Sequence, residues 1–132
     1  MVEFCVREME IEMAVYFLVA AANGVLKEDI CKIGYMADGG SQTRISNVKT
    51  SCPFETEVLW VVDGAGKDIE AQLHRLFDED CVEREWFKFT TELEDAADNV
   101  MFALETLGPE KLLRMLRKSK TADDFNRRIE GC

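Results

Sequence analysis

The stretch Glu8–Val19, E-M-E-I-E-M-A-V-Y-F-L-V, followed directly by A-A-A-N-G at 20–24, decides the fold class of this chain. Met9, Ile11, Met13, Val15, Phe17 and Val19 share one parity, the two-residue period of a strand with one buried face. Tyr16 has the opposite parity and points away from that face, on the side of Glu10 and Glu12. Asn23-Gly24 is the dipeptide that a tight hairpin favours, because both residues accept positive φ at low cost. A second strand, about Asp29–Met36, is therefore predicted to return beside the first, with Lys32 and Gly34 on one of its faces.

Asp38-Gly39-Gly40-Ser41 breaks that strand, and Ser41 is a suitable N-cap. The helix predicted at about 42–51 presents Ile45, Val48 and Cys52 as its apolar arc, with Arg44 on the border, and Pro53 stops it. Glu55–Asp63 reads as a third strand, and its continuous apolar end predicts burial on both faces. After the turn Gly64-Ala65-Gly66, a helix over about Lys67–Phe77 gathers Ile69, Leu73, Leu76 and Phe77 on one arc. Glu70 and His74, spaced i,i+4, lie side by side at its edge.

Asp78-Glu79-Asp80 reads as a solvated acidic loop, and Glu85-Trp86-Phe87 as a short extended piece that buries Trp86. From Thr91 the period becomes helical through Leu93, Ala96, Ala97, Val100, Met101 and Leu104, with Thr90 or Thr91 as cap. Leu107-Gly108-Pro109 ends that helix and starts another over Glu110–Lys118; Thr121 begins a last short one. The predicted class is α+β: a three-stranded, mainly antiparallel central sheet flanked by helices, plus a C-terminal helical appendage. Residues 1–13 extend the first strand, 14–90 form the main domain, and 91–132 form a helical segment packed on it.

At 132 residues the chain is long enough for one domain with a proper core. No apolar run approaches the roughly 20 residues needed to span a bilayer, and the N-terminus lacks a secretory pattern. A soluble cytoplasmic protein with no membrane partner is the expectation. The cysteines Cys5, Cys31, Cys52, Cys81 and Cys132 are odd in number and never spaced C-x-x-C, which argues against a disulfide framework and a structural zinc site. Net charge is −10. Residues 1–90 carry 17 acidic against 9 basic side chains, and 91–132 carry 9 against 7. A protein that grips nucleic acid usually needs a basic face, so either a local basic patch exists or nucleic acid is not the main partner.

Val15-Tyr16-Phe17-Leu18, Lys32-Ile33-Gly34, Arg44, Glu70-x-x-x-His74 and Glu85-Trp86-Phe87 together, in that order, resemble the GIY-YIG nuclease superfamily. The branch resembled is the one typified by a phage T5 open reading frame and the meiotically up-regulated gene 113 product. In that branch the first motif keeps only its tyrosine and the second reads K-I-G, as here. The resemblance covers about residues 14–90 and implies a phage-like DNA endonuclease that uses Mg²⁺ or Mn²⁺. It implies Tyr16 near the scissile phosphate and Lys32 orienting the water nucleophile or binding a phosphate oxygen. Arg44 would stabilise charge on the phosphate, and Glu70 would hold the metal. His74 and Glu85 fall on polar positions of the branch, and Gly34 borders the substrate with Glu85.

The chemistry of these side chains suits those roles. Mg²⁺ often takes only one or two protein carboxylates and keeps its waters. Arginine offers a donor fork matched to phosphate oxygens. A tyrosine needs a neighbouring cation before it serves as a base, and Lys32 on the adjacent strand could be one. Each residue also has a structural reading: Tyr16 as packing, Lys32 as a solvated strand lysine, Arg44 as half of a surface ion pair. Glu70–His74 reads equally as a helix pair worth a few tenths of a kcal/mol. DNA is favoured over RNA as partner. The alternative is a non-catalytic acidic module that binds a protein through its acidic surface or through Leu112, Leu113 and Leu116 of the C-terminal helices. The cluster Lys111, Arg114, Arg117, Lys118 and Lys120 reads as a solvated helix face, or as a grip on DNA whose affinity falls with salt.

Overall fold

The computed structural model describes residues 13–37 and 55–131. The predicted helix with Arg44, and the strand extension through Met9 and Ile11, lie outside the described residues. The hairpin forms as the sequence demands. Strand β1 (Ala14–Ala22) and strand β2 (Val25–Met36) pair antiparallel, with Ala22 opposite Val25. Asn23 and Gly24, with φ of 55° and 76°, make the two-residue turn. Strand β3 (Glu57–Asp63) pairs antiparallel with the other side of β1.

The sheet has five strands among the described residues, not three. Two short strands, β4 (Cys81–Glu83) and β5 (Trp86–Lys88), form a second hairpin, and β5 pairs antiparallel with β2. The order is β3-β1-β2-β5-β4. Among the described residues strand β3 is therefore an edge. Of its residues only Val62 is fully buried, so the expectation of burial on both faces fails for it. The strand buried on both faces is β1, where every residue from Ala14 to Ala21 is buried.

The two faces of β1 feed separate cores. Val15, Phe17, Val19 and Ala21 join Cys31, Ile33, Val62 and Phe87 beneath the helices. Helix α1 (Lys67–Leu76) adds Ile69, Leu73 and Leu76 to this core. Helix α2 (Thr91–Leu107) adds Leu93, Ala96, Ala97 and Val100; Thr90 caps it by accepting from Leu93 N–H. Helices α3 (Pro109–Lys118) and α4 (Ala122–Glu130) complete it with Leu112, Leu116, Phe125 and Ile129. Leu112 and Leu116 are thus wholly buried and Leu113 packs against the core, so this leucine set is not the exposed interface expected of it. Phe87 rather than Trp86 is the buried aromatic of its segment. On the opposite face Ala14, Tyr16, Leu18 and Met36 form a small second cluster.

Candidate functional site

Tyr16 points away from the main core, as its parity predicts, yet it is only 6% exposed. It stands directly opposite Gly34 on β2, and a Cβ at residue 34 would overlap the Tyr16 ring. Gly34 is therefore the hollow in β2 that receives the tyrosine. Lys32, two residues along β2, shares that face and lies opposite Leu18. Sheet geometry thus places Tyr16, Gly34 and Lys32 on one surface.

The edge of this surface is where β5 leaves β2. The last ladder pair is Lys32 with Trp86. Beyond it, Ile33 N–H still donates to the Glu85 carbonyl at 3.0 Å, but among the described residues the Ile33 carbonyl meets no strand. His74 takes that place: its Nε2 lies 2.8 Å from the Ile33 oxygen. A carbonyl only accepts, so Nε2 carries the proton and Nδ1 is the nitrogen left for other chemistry. The ring also packs edge-on to Phe87, with centroids 5.0 Å apart. Part of the role of His74 is thus structural.

Glu70 sits one helical turn before His74 on α1, partly buried. Loss of solvation pushes its carboxyl above the ordinary value. The charge of His74 opposes the rise, Glu85 adds to it, and Lys67 opposes it again. Glu85 links the two sides of the site. It acts on Glu70 across the split, and its Oε1 lies 3.7 Å from Lys32 Nζ. Glu85 therefore stands at the β2–β5 split between Lys32 and the Glu70–His74 pair, while Tyr16 and Gly34 belong to the sheet face opposite the helices. Arg44 lies outside the described residues.

The donor set decides what kind of cation fits. Among the described residues, no group of three or more His, Cys, Asp or Glu side chains could hold a metal ion. A closed cage of the zinc type therefore has no donors there. A hard ion that keeps most of its waters needs only one or two carboxylates, and Glu70 with a second negative charge nearby suits it.

One feature beside this site carries no signal in the sequence. An open hollow of about 570 Å³ is lined by Ile30, Lys32, Val82, Arg84, Glu85 and Trp86, among others. Arg84 turns the second hairpin with φ of 53°, unusual for a side-chain-bearing residue, and its carbonyl accepts from the Cys81 thiol at 3.3 Å. Nothing in C-V-E-R-E-W-F marks Arg84 as a turn residue in advance, since neither Gly, Asn nor Asp stands there.

The class these features define is a small α+β module with a polar site at a break in its sheet. The T5orf172 domain model matches residues 13–104, and the chain belongs to that family, which is associated with GIY-YIG-like nucleases. A nuclease-like or DNA-binding module is the corresponding class of function. No curated protein and no solved structure matches the chain. Among the described residues no helix is long and apolar enough to cross a membrane.

Proposed function

We propose that this protein is a divalent-metal-dependent endonuclease that hydrolyses phosphodiester bonds in DNA. The observation that carries the proposal is the Glu70 carboxyl, held partly out of water on α1 with the negative charge of Glu85 acting on it. A carboxylate so placed is stabilised by a cation, and Mg²⁺ or Mn²⁺ fits this donor set. When bound, the ion would polarise the phosphate and help supply hydroxide. Tyr16 and Lys32 assist the water nucleophile from the sheet surface, and Arg44 stabilises charge on the phosphate. Gly34 and Glu85 border the substrate, and Nδ1 of His74 is available to exchange a proton.

The test is nicking of plasmid DNA and of single-stranded DNA with Mg²⁺ or Mn²⁺, comparing wild type with Glu70→Ala and Arg44→Ala. Both substitutions are expected to abolish cleavage, and Glu70→Ala to remove any Mn²⁺-dependent rise in melting temperature. Equal cutting by both variants would defeat the proposal. The net charge of −10 favours a second reading, a non-catalytic module that occupies a basic protein partner. A stable stoichiometric complex from host lysate, with neither metal binding nor cleavage, would decide for it.

A further inference from the structure

The acidic balance of this chain is not uniform. Residues 111–120 contain Lys111, Arg114, Arg117, Lys118 and Lys120 and no acidic residue. Helix α3 buries Leu112 and Leu116 and leaves Lys111, Arg114, Arg117 and Lys118 exposed, with Lys120 exposed just beyond its end. Lys111, Arg114 and Lys118 follow i, i+3, i+7 spacing, so they form one stripe. It extends about 10 Å along the helix axis, the rise of some three nucleotide steps on one strand of a duplex.

A solvated helix face is the ordinary explanation of such a stripe, and two observations weigh against it. First, the cations of α4 are neutralised within their own helix: Arg127 pairs with Asp123 at 2.6 Å and Arg128 with Asp124 at 3.6 Å. Among the described residues no carboxylate comes within ion-pair distance of the side-chain nitrogens of the five cations on and after α3, the Asp124 carboxylate accepting only from the Lys120 backbone N–H at 3.1 Å, in a chain with ten more acids than bases. Second, Arg117 and Lys118 sit in the last turn, where the helix dipole welcomes a cation, but Lys111 sits in the first, where it does not. The helix dipole therefore gives no account of Lys111.

The helix is also firmly held. Arg75 on α1 donates to the carbonyls of Leu116 and Ser119 at 2.8 and 3.0 Å, tying the end of α3 to the helix that carries Glu70 and His74. We propose that the exposed face of α3, with Lys120, is a phosphate-binding surface that docks the backbone of double-stranded DNA. The surface lies beyond residue 104, where the family match ends. It reads charge rather than sequence, and it does not depend on whether the Glu70 site cuts.

The test is fluorescence anisotropy with a labelled 20-base-pair duplex, in EDTA so that nothing is cleaved, over a salt series. Five phosphate contacts predict a slope of log affinity on log salt of about −4.5, or roughly a 500-fold loss between 50 and 200 mM. The exposed-site variant Lys111→Gln/Arg114→Gln/Lys120→Gln retains two contacts and should lose only about 12-fold over that range. Arg127→Gln/Arg128→Gln, which removes paired cations, should keep the wild-type slope. A melting curve on each variant separates lost binding from lost folding. Wild-type affinity and slope in the triple variant would overturn the proposal. So would a stripe that instead mediates self-association, seen as a dimer that the triple variant loses. Binding that behaves as predicted alongside a failure to nick DNA would count against the Glu70 site alone.

Discussion

Replacing Gly34 by alanine tests the contact on which the sheet surface of the site depends. The backbone at Gly34 is not in the left-handed region, which among the described glycines is confined to Gly24, Gly64 and Gly108. Alanine is therefore conformationally allowed, and in a strand interior it should gain about 0.5–1 kcal/mol over glycine. Against this, the new Cβ enters the Tyr16 ring, which is itself buried. Overpacking of this kind costs about 1–3 kcal/mol. The expected result is a net loss of between about 0 and about 2.5 kcal/mol in urea unfolding with an unchanged m-value. In a Tyr16→Val background the clash disappears and the same substitution should be neutral or stabilising. The double-mutant cycle should then show a coupling of about 1–3 kcal/mol. Additivity, or a stabilising Gly34→Ala in wild type, would refute the close approach and with it the assignment of Gly34 as the receptor for Tyr16.

Three further outcomes are expected. Because the folded Glu70 carboxyl holds its proton more tightly than an ordinary one, the native state binds more protons than the unfolded chain between the ordinary and the raised pKa. Wild-type stability should fall as pH rises through that window, and Glu70→Gln should flatten the fall; denaturation at a series of pH values checks this. Arg75→Ala should cost about 1–3 kcal/mol by leaving the Leu116 and Ser119 carbonyls without their charged donor. Faster amide exchange at the end of α3 in hydrogen-exchange mass spectrometry would localise the loss. Burial pushes the Cys31 thiol up to about 12, whereas Cys81 is exposed. Iodoacetamide on the folded protein at pH 8 should therefore label Cys81 and spare Cys31, read by peptide mapping.

The sequence made the first hairpin legible because two independent signals agreed there, the Asn23-Gly24 turn and the parity of Val15, Phe17 and Val19. The i,i+4 spacing of Glu70 and His74 likewise sufficed to make them neighbours. What was illegible has physical causes. An apolar run such as V-L-W-V-V reads alike in a central strand and in an edge strand, so the strand is legible but the burial of β3 is not. The strands β4 and β5 are three residues each, too short for alternation to show which of Trp86 and Phe87 faces inward. Parity assigned Tyr16 to a face but carried no information about a glycine eighteen residues away that makes room for it. The partner of His74 is a backbone carbonyl, which no side-chain pattern announces. Leu112 and Leu116 are themselves spaced i,i+4, and that spacing was a usable sign of the buried arc they form.

The split between β2 and β5 distributes the site over supports of unequal stability. Tyr16, Lys32 and Gly34 ride on the β1–β2 ladder, the longest pairing in the sheet, and Glu70 and His74 on a helix anchored by Ile69 and Leu73. Glu85 rides on a hairpin whose outer strand is exposed throughout. Local opening reaches such an element well before it reaches the ladder or the helix. His74, bonded to Ile33 rather than to the hairpin, would keep its position through that opening while Lys32 lost its carboxylate partner. Opening of the second hairpin would thus free the Lys32 charge from its carboxylate partner while the ladder and the helix stay folded.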